Sequence, residues 1–270
     1  MTLPLPMAAL ACFAALAAPA QEANHPAAPF AYLPPSWCDR VVFYHSFEQG
    51  IERPEINLAN VTVQGTTPDT PGFAGRAYAI RADKRLPLRL SSPAFSPHRP
   101  FTLMAWWRLD EPMREDLTFC LLYLTGHGRP GYVANAVHGK SHWCALSQPT
   151  YISQVYGFPG IRNHHNSWGG RVWPEVGQWH HVALAIPNPS TLQLFWDGNL
   201  RETIALRGRP LAEGDLTTAS FGEQYSRDAK PDAAMTFDEV ILTDRALTDA
   251  ELAQYVLATR SLTARAFPVR

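Results

Sequence analysis

The chain has 270 residues, with 23 basic against 24 acidic side chains and a formal net charge of −1. This balance argues against binding of nucleic acid or of a membrane surface through a basic excess. Intrinsic disorder is equally disfavoured, because 46% of the residues are hydrophobic and can offset the conformational entropy of the chain. All-β sandwiches of about 200–250 residues often form one unit, so we expect a single folded domain.

The first 20 residues are typical of a secretory signal peptide. From Thr2 to Ala20 the chain carries no charged side chain, and the apolar run from Met7 to Ala18 is too short to span a bilayer. The triplet Ala18-Pro19-Ala20 fits the small-x-small rule for cleavage before Gln21. We therefore expect a protein that is secreted, periplasmic or at the cell surface, with no membrane span in the mature chain.

The rest of the chain divides into a linker and a β-rich domain. Residues 21–37 are rich in Pro and Ala and lack any period, which is typical of an extended linker. From residue 38 to residue 270, short β-branched and aromatic runs alternate with Gly, Pro, Asn and Asp, which predicts an antiparallel β domain. The predicted strands, in chain order, are 41–47, 76–81, 86–90, 101–109, 117–124, 132–137, 142–147, 151–156, 179–186, 191–196, 201–206, 217–221 and 235–243.

One short helix is predicted near the C-terminus, over residues 249–259. Thr248 can cap its first turn while Glu251 reaches back, and apolar residues follow at helical spacing. Strands and helices do not alternate along the chain, which excludes a parallel sheet with a dinucleotide site. The sequence therefore predicts an all-β fold.

Several stretches resemble the laminin-G-like branch of the concanavalin A-like lectin/glucanase superfamily. Residues 41–50, VVFYHSFEQG, are similar to its opening strand, and residues 72–77, GFAGRA, to its glycine-rich approach to the second strand. Residues 101–109 resemble its aromatic core strand, and residues 177–198 are the most specific match. Residues 237–252 resemble its closing strand and short helix. The resemblance implies a two-sheet antiparallel jelly-roll sandwich, a scaffold whose concave face or loop rim often binds sugars.

The signatures of hydrolytic chemistry are missing. Glucanases on this scaffold need a close pair of carboxylates. The nearest fragment of their usual strand signature is Glu213-Gly214-Asp215, which lacks the third carboxylate. Neither a Gly-x-Ser-x-Gly elbow nor a His-Glu-x-x-His helix is present. The sequence thus favours a module without catalytic residues.

The loops from about residue 126 to residue 177 carry side chains that suit a sugar ligand. Aromatic rings stack on the C–H faces of sugars, while Asn and Arg bond the hydroxyl groups. The predicted ligand-binding residues are Trp143, Tyr151, Tyr156, Arg162, Asn163, Asn166, Trp168 and Trp173. Our main hypothesis is a secreted, non-catalytic module that binds carbohydrate or another surface ligand, such as a surface glycan. Ordinary packing is the alternative for each of these residues.

Seven of the ten histidines fall between residues 127 and 181. His138 and His142 flank a predicted reversal between strands, and His164 and His165 lie in the next predicted loop. If their imidazoles converge, they form a zinc site or the acid and base of a polysaccharide lyase or hydrolase. Solvated surface histidines are the alternative.

Three cysteines remain after the signal peptide, and an exported protein permits a disulfide between two of them. Cys120 and Cys144 lie in strand-like runs close in sequence, so we predict that they form the bridge. Burial as small apolar residues is the alternative. Cys38 would then be single and could link an interaction domain without a sugar ligand to a partner.

The resemblance also implies one cofactor, a structural calcium ion, and no other. Relatives often hold this ion between a carboxylate after the opening strand and an Asp of the closing strand, which match Glu48 and Asp238. The family more often shows Asp where this chain has Glu48.

Overall fold

The computed structural model describes residues 37, 39–65, 70–80, 87–112, 118–126, 131–138, 150–167, 174–224 and 234–266. Seventeen strands and one α-helix lie within these ranges. They are β1 (Val41–His45), β2 (Ile56–Asn57), β3 (Thr62–Gln64), β4 (Thr70–Pro71), β5 (Arg76–Ile80), β6 (Leu88–Ser91), β7 (Phe101–Leu109), β8 (Thr118–Thr125), β9 (Tyr132–His138), β10 (Thr150–Tyr156), β11 (His164–Ser167), β12 (Trp179–Asn188), β13 (Thr191–Trp196), β14 (Asn199–Ala205), β15 (Thr218–Phe221), β16 (Glu223–Gln224), β17 (Met235–Thr243) and α1 (Asp249–Ala266).

The strands form two antiparallel sheets. The nine-stranded sheet has the order β14-β13-β12-β7-β17-β1-β2, with β5 beside β17 and β4 beside β5. The eight-stranded sheet has the order β11-β10-β9-β8-β15-β6-β3, with β16 beside β8. This architecture confirms the predicted all-β sandwich with a single C-terminal helix among the described residues.

The nine-stranded sheet is covered on both of its faces. In β12, Val182, Leu184 and Ile186 join the core between the two sheets, while Ala183 and Ala185 join a second cluster on the other side. This alternation follows from the period of two along a strand. Leu252, Tyr255 and Val256 of α1 belong to the second cluster, so the helix packs on the outer face of this sheet.

The helix α1 begins at the predicted residue but ends later in the chain than predicted. The amide of Thr248 donates to Glu251 Oε2 at 2.9 Å, and the amide of Glu251 donates back to Thr248 Oγ1 at 3.3 Å. This reciprocal cap starts α1 at Asp249, but the helix continues to Ala266, past the predicted end at residue 259. Within the part of the chain that the structure describes, no helix has the apolar length that crossing a bilayer requires.

The strand prediction was wrong at one element that matters for function. Residues 164–167 were expected in a loop, yet His164–Ser167 forms β11 and pairs with β10 at the edge of the eight-stranded sheet. The four residues are HHNS, with no β-branched or apolar side chain, so only their pairing with β10 defines the strand. The predicted strand at 142–147 lies outside the described residues.

Cys120 is a fully buried free thiol, and burial raises its pKa. Its predicted partner, Cys144, lies outside the described residues, as does Cys38. The predicted bridge therefore finds no support in the described part of the chain.

Candidate functional site

The loop between β10 and β11 folds over one end of the sandwich. Phe158 and Ile161 in this loop are buried in the core between the sheets. Ile161 forms a bridge with Gly208, and the amide of Arg162 donates to the carbonyl of Arg207 at 2.7 Å. Gly208 has a φ of +102°, and a Cβ there would strike the facing backbone, so this close approach requires glycine. The edges of the two sheets are thus joined at this end.

An open cleft of about 430 Å³ lies beside this contact, between residues of the β10–β11 loop and β11 on one wall and residues 203–207 on the other. Its volume falls within the range of about 300–1,000 Å³ that is common for ligand sites. Ile204 is buried, while Thr203 and Arg207 are exposed on the same wall. The polar residues that line it are Arg162, Asn163, His164, His165, Thr203 and Arg207.

A carboxylate joins the two sheet edges beside the cleft. Glu202 belongs to β14 of the nine-stranded sheet, and only 11% of its side chain is exposed. Its Oε2 accepts a hydrogen bond from the hydroxyl of Ser153 in β10. Its Oε1 lies 3.0 Å from Nε2 of His164 and accepts from the amide of Asn166 at 2.9 Å. Since a carboxylate only accepts, Nε2 of His164 carries the proton in this contact.

His164 and His165 do not form the predicted metal or acid–base cluster, because successive residues of a strand face opposite sides of the sheet. His164 faces Glu202, whereas Nδ1 of His165 lies 2.9 Å from the side-chain nitrogen of Gln154 on the outer face. Among the described residues, no three His, Cys, Asp or Glu side chains are arranged to hold a metal ion. The side chain of His138 and the whole of His142 lie outside what the structure describes.

Three tyrosines follow one another across the outer face of the eight-stranded sheet, and we call them the tyrosine strip: Tyr123 of β8, Tyr132 of β9 and Tyr156 of β10. The ring centroids of Tyr123 and Tyr132 are 5.1 Å apart in a stacked arrangement, and those of Tyr132 and Tyr156 are 5.9 Å apart. Tyr132 also donates to Oε1 of Gln154 at 3.1 Å. Tyr156 is 52% exposed, so one end of the strip faces solvent.

The structure brings together part of the predicted ligand-binding set. Arg162 and Asn163 are exposed in the β10–β11 loop, and Asn166 is exposed in β11. Tyr151 lies in β10, but its side chain is not described, and Trp143, Trp168 and Trp173 lie outside the described residues. The sequence reasoning missed Glu202, Arg207 and Tyr132. Tyr132 could have been found, because a strand of alternating character was already predicted there.

Glu48 and Asp238, between which the resemblance implies a calcium ion, contact the same loop. Oδ2 of Asp238 accepts from the amides of Phe73 at 2.8 Å and Ala74 at 3.1 Å, and its Oδ1 accepts from the amide of Glu239 at 2.8 Å. Oε1 of Glu48 accepts from the next part of the loop, the amide of residue 76. The two carboxylates therefore hold the loop through backbone N–H groups.

These residues do not fit a shared calcium ion. A calcium ion needs six to eight oxygen ligands, and N–H donors already occupy three sites on the Asp238 carboxylate. Glu239, which follows Asp238 at an irregularity of β17, accepts from the hydroxyl of Tyr44 at 2.6 Å. Burial and the neighbouring Asp238 carboxylate raise the pKa of Glu239 well above its ordinary value. The raised pKa favours the uncharged form of the Glu239 carboxyl group.

Asp215, His180 and His181 have structural roles. Asp215, from the fragment nearest to a glucanase signature, is buried and accepts from Arg209 at 2.7 Å and from the amide of Ala212 at 2.8 Å. His180 and His181 are both buried in β12. Burial lowers the pKa of His181 to about 3.

Comparison with known families gives a match over most of the described domain. Residues 87–253 match the family described as the Concanavalin A-like lectin/glucanases superfamily, in its laminin G branch. No curated protein sequence matches the chain.

Solved structures with the same fold share little sequence with the chain. Domain 4 of the GH43 extracellular arabinanase from Geobacillus stearothermophilus, solved with arabinotriose, is 13% identical with a TM-score of 0.57; the match covers 80% of this chain and 98% of that one. The binding domain of Paraclostridial Mosquitocidal Protein 1 is 13% identical with a TM-score of 0.57, over 81% and 52% of the two chains. A botulinum neurotoxin type C structure, described as depending on two ganglioside molecules for cell entry, is 12% identical with a TM-score of 0.56, over 83% and 51%. The chain therefore spans about half the length of the toxin chains.

Proposed function

We propose, since the chain belongs to the Concanavalin A-like lectin/glucanases superfamily, that it is a non-catalytic module that binds carbohydrate outside the cytoplasm. The observation that carries this proposal is the tyrosine strip with its exposed end at Tyr156. Phenol rings offer flat apolar faces to the C–H faces of sugar rings, and their hydroxyls can bond sugar hydroxyls. Export rests on the predicted signal peptide over residues 1–20.

Polar groups beside the strip complete a surface suited to sugars. Gln154 and His165 lie on the same face, and Asn163 and Arg162 follow at the hairpin. Few but well-placed polar groups around aromatic rings are the usual composition of a sugar site. Trp143, Trp168 and Trp173 stay predicted contacts. The arabinanase domain solved with arabinotriose and the neurotoxin whose cell entry depends on ganglioside molecules support a carbohydrate as ligand.

Binding to a panel of immobilised polysaccharides, including arabinan, pectin and dextran, tests the proposal. Tyr156→Ala removes the exposed ring at the end of the strip, and we expect it to weaken binding to the retained polymer about tenfold. Leu58→Ala is the matched control, because Leu58 is 77% exposed just after β2, at the opposite edge of the other sheet. Equal binding by wild type and Tyr156→Ala, or binding to no polymer, contradicts this function.

A second candidate function is a polysaccharide-active enzyme that uses His164. The contact of 3.0 Å between His164 and Glu202 favours it, because a carboxylate that orients an imidazole can prepare it for proton transfer. In a lyase the imidazole would take the C5 proton next to a uronate carboxylate, a C4=C5 double bond would form, and the glycosidic oxygen at C4 would leave and take up a proton as a hydroxyl group. Incubation with polygalacturonate and detection of ultraviolet absorbance from the unsaturated product separates this function from binding alone.

A further inference from the structure

Two arginines, Arg162 and Arg207, lie at facing positions in the lining of the cleft. The amide of Arg162 donates to the carbonyl of Arg207 at 2.7 Å, and both side chains are exposed. Like charges at facing positions repel each other, so such a pair is unfavourable unless something compensates the charge. Among the described residues, no carboxylate forms an ion pair with either guanidinium.

The nearby carboxylates are already committed elsewhere. Asp215 pairs with Arg209 at 2.7 Å, which neutralises the third arginine of this region. Glu202 receives hydrogen bonds from Ser153, His164 and Asn166, and it does not line the cleft. Among the residues that the structure describes, the lining of the cleft therefore holds two positive charges and no negative one, in a chain whose formal net charge is −1.

We infer that the cleft between β11 and β14 binds an acidic glycan, with a carboxylate or sulfate group of the sugar held by Arg162 and Arg207. This inference rests on the proposed function and names its ligand class. A guanidinium binds such oxyanions through two parallel N–H···O bonds, which gives the contact both strength and direction. Two adjacent arginines surround one oxyanion from two sides.

Neighbouring groups suit the rest of the sugar. Oδ1 of Asn163 accepts from the amide of Gly157 at 3.1 Å, which fixes the side chain and leaves its NH₂ group for a sugar hydroxyl. Thr203 is an exposed residue of the other wall. The cleft thus offers two cationic side chains together with polar side chains on both walls.

The cleft and the tyrosine strip are adjacent but distinct. Tyr156 is the last residue of β10, and the next residue begins the loop that carries Arg162. Stacking on the strip does not depend on the charge of the sugar, whereas the arginines require an anionic group. Substitutions in the two places therefore have different effects on charged and neutral ligands.

The test uses polymers that differ only in charge. Binding of the full chain to polygalacturonate and its methyl ester, and to dextran sulfate and dextran, is measured by isothermal titration calorimetry at about 50 mM and 500 mM NaCl. The variants are the double substitution Arg162→Gln/Arg207→Gln and the control Arg53→Gln. Arg53 is equally exposed, but it lies between β1 and β2 at the far edge of the nine-stranded sheet.

We expect at least one charged polymer to bind tenfold or more tightly than its neutral counterpart, and the higher salt concentration to weaken this binding. The double variant should lose this preference, while Arg53→Gln keeps it and near-ultraviolet circular dichroism confirms that both are folded. Preference for polygalacturonate or for dextran sulfate identifies carboxylate or sulfate as the recognised group.

Equal binding of wild type to charged and neutral polymers overturns the inference. So does an equal loss of the preference for the charged polymer in Arg53→Gln and in the double variant. If Tyr156→Ala still weakens binding in that case, the proposed function stands. If the chain binds none of the four polymers and none of the immobilised panel, both the inference and the proposed function are overturned.

Discussion

Oε1 of Glu202, in the edge strand β14 of one sheet, lies 3.0 Å from Nε2 of His164, in the edge strand β11 of the other. A polar contact therefore joins the edge strands of the two sheets, in addition to the buried Phe158 and Ile161 of the β10–β11 loop. This contact holds β11 in place, and β11 forms one wall of the cationic cleft. Glu202 therefore supports one wall of the proposed site without lining the cleft itself.

Removal of that carboxylate should destabilise the protein. Glu202→Ala leaves the fully buried hydroxyl of Ser153, and the side chains of His164 and Asn166, without their acceptor. A buried polar group that loses its partner costs about 1–3 kcal/mol, and we expect a loss of this size in the free energy of unfolding. Urea unfolding followed by circular dichroism measures it. Glu202→Gln keeps one acceptor oxygen and should lose less; equal stability of wild type and Glu202→Ala would show that the bridge does not hold the edges together.

If the tyrosine strip binds glycans by stacking, two substitutions of Tyr132 should have different effects on glycan affinity. Tyr132→Ala removes the middle ring of the strip, whereas Tyr132→Phe keeps the ring and removes only the hydroxyl that donates to Gln154. If stacking carries the affinity for glycans, the first change weakens binding about tenfold and the second about threefold or less. Titration calorimetry with the polymer that wild type retains measures both variants. The reverse order would mean that hydrogen bonding, and not the aromatic face, recognises the sugar.

Local signals in the sequence predicted much of the fold. The run from Phe101 to Leu109 is apolar on both faces, and β7 is indeed buried on both faces of the nine-stranded sheet. Thr248 and Glu251 predicted the start of α1, because a helix cap depends on residues only three positions apart. Such features need no knowledge of distant parts of the chain.

The candidate site was only partly predictable, because it forms where distant segments meet. Arg162 and Asn163 were recognised by their chemistry, but Arg207 faces Arg162 only after the two loops pair. Glu202 is 38 positions from His164 in sequence, and no local pattern indicates that their strands end at the same open edge. The polar strand β11 was missed for a related reason, since its pairing with β10 and not its composition defines it.

We expect the free energy of unfolding to fall in acid because of His181. Its imidazole is fully buried against Trp106 and Tyr255, and burial lowers its pKa to about 3, with Asp197 raising and Arg260 lowering the value to a smaller extent. In the unfolded chain the imidazole of His181 takes up a proton below its ordinary pKa of 6.5, while in the native state this imidazole stays neutral. Stability is therefore lost as the pH falls from 6.5 towards 3, by about 3 kcal/mol at pH 4.

The comparison of wild type with His181→Phe isolates this effect, because the carboxylates of the protein titrate in both. Urea unfolding at pH 7 and pH 4 should show that wild type loses more free energy of unfolding than the variant. Equal losses in the two proteins would mean that His181 is not held neutral in the folded state.

Because the carboxylates of Glu48 and Asp238 already accept hydrogen bonds from backbone amides, we expect calcium to have little effect on stability. Backbone amides already occupy the Asp238 oxygens, and a ligand that binds only the native state raises the unfolding temperature only when its concentration approaches or exceeds its Kd. We expect unfolding midpoints in 5 mM CaCl₂ and in 5 mM EGTA, concentrations on the order of those that saturate weak sites, to agree within about 1 °C. A rise of several degrees in calcium that Asp238→Asn abolishes would establish the ion that the resemblance implies.

A crystal structure of the chain with a bound galacturonate trimer tests the proposed site most directly. We expect a carboxylate oxygen of the trimer at about 3 Å from a guanidinium nitrogen of Arg162 or Arg207, with the next sugar unit towards Tyr156. A trimer bound at another face of the sandwich, with the cleft and the tyrosine strip left to solvent, would contradict the assignment of this surface.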